Sequence, residues 1–103
     1  TKEVPKAQMY VTAINRAQQA YFLEKSKFST NLKDLELGIP SNDAEYSYQI
    51  QQPSGSQSRV FVTATPKKSE SPSYTGAVFV ANVNGEAITI SGICQRTKPT
   101  NKQ

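Results

Sequence analysis

The stretch Lys6-Ala7-Gln8-Met9-Tyr10-Val11-Thr12-Ala13-Ile14-Asn15-Arg16-Ala17-Gln18-Gln19-Ala20-Tyr21-Phe22-Leu23-Glu24-Lys25 contains neither glycine nor proline. Its Ala, Gln, Glu and Lys residues favour or tolerate a helix. At 100° per residue Tyr10, Ile14, Ala17 and Tyr21 fall in one stripe, and these four are expected to hold the helix to the rest of the chain. Ala7 and Val11 flank the stripe on one side, Ala13 and Ala20 on the other, while Thr12, Asn15, Arg16 and Gln19 make the opposite face. The apolar arc is therefore wide enough to cover a sheet and leave shoulders for another partner. Phe22 lies off the stripe and reads as a contact residue. Pro5 suits the first helical position, where its fixed φ matches the helix and its missing N–H would be unpaired anyway.

Working outward, residues 26–44 connect the helix to the second half of the chain. Leu32, Leu35 and Leu37 are expected to anchor this connection. Asn31 or Thr30 can cap a short helical turn there, and Gly38 can end it in the left-handed conformation. The period then changes from 3.6 to 2. Four strands are expected at 45–51, 59–65, 77–83 and 86–93, with Pro53-Ser54-Gly55-Ser56 turning between the first two and a polar loop at 66–74. Asn84-Gly85 is the strongest hairpin signal, since both central residues of a type I′ turn need φ > 0. Residues 95–103 read as a polar tail. The order predicts one α+β domain over residues 1–103, an N-terminal amphipathic helix packed on a four-stranded antiparallel sheet.

Composition narrows the chemistry. The chain has 103 residues, a length suited to one core, with 36% hydrophobic and 19% charged residues. It has no histidine, so the usual general base and metal ligand are missing. No nucleophile and base can be paired, no glycine-rich phosphate loop is present, and no catalytic, cofactor-binding or metal-binding residue is assigned. Asp43 and Glu45 could hold a cation, but they lack the carboxylate spacing of a calcium loop. A single cysteine rules out an intrachain disulfide; Cys94 reads as a small hydrophobe at the sheet margin. The formal net charge is +4, with the basic residues dispersed. Arg59, Lys67 and Lys68, with Tyr74 available to stack, are the candidates for contact with DNA or glycan. That pattern supports an alternative role as a secreted binding module.

The run Tyr10-Val11, then Asn15-Arg16-Ala17-Gln18-Gln19-Ala20-Tyr21-Phe22-Leu23-Glu24, Lys27-Phe28-Ser29 and Leu32-Lys33-Asp34-Leu35 carries a family resemblance. It resembles the start of the globular region in type IV pilin-like proteins, in particular the cyanobacterial pilins and the related general-secretion G/H-like group. The resemblance implies a pilin-like fold and a non-enzymatic subunit of a type IV pilus or pseudopilus, serving motility, adhesion, DNA uptake or secretion. It implies other pilin subunits and a pilus or secretion assembly machinery as partners, and an extracellular surface filament as the location. It further implies a precursor cleaved by a prepilin peptidase, a methylated first residue and a hydrophobic helix half upstream of Thr1. That half would sit in the inner membrane before assembly. Met9, Ala13, Arg16, Ala20 and Phe22 are then the expected subunit contacts, with the loops at 41–45 and 66–74 facing outward. Pro5 departs from a continuous long helix, and one cysteine cannot form the C-terminal pair found in many pilins.

Overall fold

A computed structural model describes residues 5–53 and 58–96. Helix α1 spans Lys6–Lys25. A 3-10 turn spans Leu32–Leu35. Strands β1 (Tyr46–Gln51), β2 (Arg59–Pro66), β3 (Ser73–Val83) and β4 (Glu86–Arg96) come next. They form one antiparallel sheet in the order β1-β2-β3-β4. This is the α+β arrangement of a helix on a four-stranded sheet.

Local chemistry sets the boundaries. Pro5 lies just outside α1 as its N-cap, one position earlier than expected, with φ −58° and ψ 145°. Its carbonyl accepts the first helical bond from Met9 N–H at 3.1 Å, so α1 begins at the bend that Pro5 imposes. Ser26 ends the helix in the left-handed conformation. In the connection, Asn31 Oδ1 accepts from Lys33 N–H at 3.0 Å and caps the 3-10 turn. Glu36 takes the left-handed ending expected of Gly38, although Gly38 also has positive φ. At the β3–β4 hairpin Asn84 and Gly85 have φ 53° and 83°, the values a type I′ turn requires.

Three strands extend beyond their expected bounds, β2 by Pro66 alone. β3 begins at Ser73, taking Ser73 and Tyr74 out of the polar loop, and β4 continues through Gln95 and Arg96, which the sequence places in the tail. These last two extensions complete each other, because Ser73 pairs with Arg96 and Tyr74 with Gln95. A polar pair at the end of a long hairpin ladder gives no alternation signal. Of the turn expected at 53–56 all but Pro53, and the tail from 97 onward, lie outside the described residues.

The core lies between α1 and one sheet face. Ala7, Val11 and Ile14 of the helix pack with Leu35, Tyr48, Val62, Ala64 and Tyr74. A second cluster joins Phe28, Val60 and Val78. The buried stripe of α1 is Ala7, Val11, Ile14, Asn15 and Gln18. Tyr10, Ala17 and Tyr21 are half-buried against the same core. The helix is thus rotated by roughly 60° from the orientation its apolar stripe suggests. Asn15, expected on the solvent face, is buried. The reason lies in β3: Gly76 leaves the space that Asn15 and Val11 occupy, and a Cβ there would meet Val11 Cγ1 at 2.6 Å and Asn15 Oδ1 at 2.7 Å. A glycine inside a strand marks close approach of another backbone or side chain, and here it lets the helix sit down on β3.

Candidate assembly face

The face of α1 turned from the sheet carries exposed apolar surface, as does the sheet face opposite the helix, where Phe79, Ile88 and Ile90 are exposed. Met9, 52% exposed, and Ala13 form a shallow surface with Gln8, Thr12, Arg16, Ala17 and Leu37, enclosing an open groove of about 690 Å³. Three of the expected subunit contacts, Met9, Ala13 and Arg16, come together here. Ala20 is exposed one turn further along and borders a neighbouring depression with Ala17, Tyr21, Glu24 and the 3-10 turn. Alanines at 13, 17 and 20 keep this side low, so that a second helix can approach closely. Arg16 is exposed, and among the described residues it takes part in no ion pair.

Phe22 does not belong to this face. Its ring stacks on Phe28, with centroids 4.9 Å apart, and it packs against the Phe28–Val60–Val78 cluster. The roughly 60° rotation of α1 that buries Val11 and Gln18 carries Phe22 inward with them. Leu37 makes the opposite correction. Expected as an anchor, it stands at the groove rim, while Leu35 is buried and Leu32 half-buried. Sequence spacing could not find Leu37 as a groove residue, because its neighbours there come from α1.

The groove is supported by fixed contacts beneath it. Gln18, buried, holds the connection to the helix: its Nε2 donates to the Ser29 carbonyl at 2.7 Å, and its Oε1 accepts from Ser29 N–H at 2.9 Å. Ser29 Oγ donates to the Asn31 carbonyl at 2.8 Å, linking this clasp to the capped turn. On the other flank Asn15 Nδ2 donates to the Gly92 carbonyl at 3.1 Å, and Gln19 Nε2 to Thr89 Oγ1 at 3.1 Å.

The basic residues do not make a second site. Arg59 opens β2 and Lys67 lies just past its end, about 27 Å apart for eight residues of extended chain. Lys67 Nζ donates to the Asp43 carbonyl, and Lys67 N–H to the Glu45 carbonyl at 2.9 Å, tying the loop to the start of β1. Lys68 is exposed beside it. Tyr74, expected as a stacking surface, is 2% exposed and lies beneath α1. It occupies a sheet position facing the helix, so its ring contributes to the core and not to a ligand. Cys94 is exposed on the sheet face away from α1.

Asp43 is likewise committed. Its Oδ1 accepts from Tyr46 N–H at 2.7 Å and Glu45 N–H at 2.8 Å, closing the turn into β1. The Tyr46 and then the Glu45 hydrogen bond hold its carboxyl below the usual range, with smaller help from Lys6 and Lys67. Glu45 is exposed. Among the described residues no three cysteine or acidic side chains gather in a group that could hold a metal.

The architecture is a helix laid on an antiparallel sheet, with a shallow groove along the outer side of the helix. Residues 5–103 match the family described as type IV pilin-like G and H, and the chain belongs to that family. The match covers nearly the whole sequence and takes in the sheet, which lies beyond residues 10–37, where the distinctive resemblance is confined. Neither the curated proteins nor the solved structures give a significant match.

Proposed function

We propose that this chain is a non-enzymatic subunit of a type IV pilus or pseudopilus that works by repeated self-association. The observation that carries this reading is the outward groove of α1, where Met9, Ala13, Arg16 and Leu37 stand on a family-matched pilin-like scaffold. Burying these side chains against a neighbouring helix removes apolar surface from water. It also places Arg16 where a carboxylate on the next subunit can pair with it. Ala20 extends the same contact.

The loops at 41–45 and 67–72 lie at the end of the sheet where α1 begins, with Lys6 Nζ 4.0 Å from Asp43 Oδ2, and in this reading they face the filament exterior. Among the described residues no helix is long and apolar enough to cross a membrane. Inner-membrane anchoring, in this reading, belongs to an apolar helix half preceding Pro5, and delivery into the filament to a pilus or secretion machinery. Motility, adhesion, DNA uptake and secretion are uses to which such a filament is put.

Arg16→Glu tests the placement. Arg16 is exposed and among the described residues takes part in no ion pair, so the variant is expected to fold normally. Filament yield, measured by quantifying sheared surface fibres, falls severalfold. Normal yield with a correctly folded variant would falsify this placement. Lys68→Glu serves as the comparison, and leaves yield unchanged.

A further inference from the structure

The sheet has two edges of different character. At β1 the edge is covered: Asn42 bridges to Ser47, and Tyr48 N–H donates to the Ser41 carbonyl at 2.8 Å. At β4 no strand lies beyond among the described residues, and the strand's residues are exposed except for half-buried Thr89 and Ile93. Strand edges in monomers are usually guarded by proline, by lysine or by inward charges. β4 has no proline or lysine, and its charges stand only at its two ends, Glu86 and Arg96.

Backbone polarity is set by the ladder. Val80 N–H donates to the Ser58 carbonyl at 2.8 Å, so Val80 turns its polar groups toward β2. Its partner across the hairpin, Thr89, therefore turns N–H and C=O to the open edge. By alternation Ala87, Ser91, Ile93 and Gln95 do the same. Gln19 reaches the Thr89 carbonyl at 3.4 Å but leaves the Thr89 N–H free.

We propose that β4 pairs antiparallel with β4 of a second copy of this chain, Ser91 against Ser91, joining the two sheets into one. Three independent features coincide at this register. β4 spans Glu86–Arg96, so centring on Ser91 is the register that pairs the strand over its whole length. The residues whose backbone faces the edge then meet one another, Ala87 against Gln95 and Thr89 against Ile93, as an antiparallel ladder requires. Charges are complementary: Glu86 of each copy faces Arg96 of the other, and Ile88 faces Cys94. Slipping the strands by two residues loses both ion pairs.

The helices leave room. α1 lies chiefly across β3, so the two helices stand about three strand spacings apart, roughly 14 Å, beyond the 8–10 Å of direct helix packing. They run antiparallel. A filament made by repeating one head-to-tail step carries its subunits in one direction, so this contact joins free domains or two separate filaments. It does not depend on the assembly role proposed for the α1 groove.

Sedimentation equilibrium of the full chain, from about 10 µM to about 1 mM, tests the pairing. A monomer–dimer equilibrium is expected. Glu86→Lys weakens it by about tenfold by setting like charges opposite at both ends, and adding Arg96→Glu restores it. The register is read by oxidation. Ile88→Cys cross-links to Cys94 of the second copy, because facing residues bring their Cα atoms within disulfide range. Ile90→Cys, which faces Gly92, cross-links far less, as does the native chain. A native chain that stays monomeric overturns the proposal, as does charge reversal without effect or equal cross-linking by the two cysteine variants. Arg16→Glu leaves the dimer intact and Glu86→Lys leaves filament yield intact, so the two interfaces fail separately.

Discussion

The two flanks of α1 meet the rest of the molecule by different chemistry. Toward β1 and the 3-10 turn the contact is apolar and aromatic: Ile14 is fully buried, and the Tyr10 and Tyr48 rings tilt together at 5.5 Å. Tyr46 adds a ring beside Tyr48 and Tyr74 and donates its hydroxyl to the Pro72 carbonyl at 2.6 Å. Toward β4 the contact is made by amides, Asn15 on Gly92 and Gln19 on Thr89. Apolar burial scales with the area removed from water, whereas a hydrogen bond exchanges one polar partner for another. The β1 flank therefore supplies most of the stability, and the β4 flank fixes how the helix is rotated.

Breaking the apolar flank has the largest expected effect. Ile14→Ala removes a fully buried side chain and leaves a cavity, destabilising the domain by about 2–5 kcal/mol in urea unfolding. Gly76→Ala attacks the seam between the flanks. Its new Cβ collides with Val11 and Asn15, so the helix must lift, at a cost of about 1–3 kcal/mol. Amide exchange along β4 should accelerate with it, since both amide contacts depend on that approach.

Asn15→Ala tests the amide flank alone. It leaves the Gly92 carbonyl without its helix donor and is expected to cost about 1 kcal/mol, with the aromatic side undisturbed. A loss as large as that of Ile14→Ala would remove the distinction between the flanks.

The smallest effect is a pH dependence. Burial first, then the neighbouring Asp43 charge, push the Tyr48 phenol above its ordinary value near 10. The folded state holds its proton more tightly than the unfolded chain. Tyr48 therefore contributes stability that is intact below about pH 10 and is lost as pH rises above it. Its hydroxyl has no hydrogen-bond partner, so Tyr48→Phe should change neutral-pH stability little and flatten the alkaline fall measured by urea midpoint.

Much of this fold is legible in the residues. α1 is readable because propensity and a stop at Ser26-Ser29 agree, and the β3–β4 hairpin because Asn84-Gly85 permits almost nothing else. The rotation of α1 is less so. Its stripe of Tyr10, Ile14, Ala17 and Tyr21 is the more hydrophobic one, yet Asn15 and Gln18 are buried because backbone partners wait for them at Gly92 and Ser29. A hydropathy pattern counts such amides as polar surface. The one available signal is Gly76, whose missing side chain asks what fills the space.

The candidate face divides along the same line. Met9, Ala13, Arg16 and Ala20 could be placed on an outward shoulder from helical spacing, since positions three and four apart share a side. Phe22 and Tyr74 read from the sequence as contact and stacking residues but pack with the core, because an aromatic ring serves either place, and Leu37 joins the groove from another segment.

The sequence by itself determined one helix, four strands, their order and the hairpin that closes the sheet, because these depend on periods and turn conformations local to the chain. Tertiary structure alone decided which side of α1 is spent on the core and which stays exposed. It also decided that β1 is covered while β4 is open. Those choices rest on contacts between residues far apart in sequence or brought together by the connection: Gly76 beneath Val11 and Asn15, and Ser41 beside Tyr48.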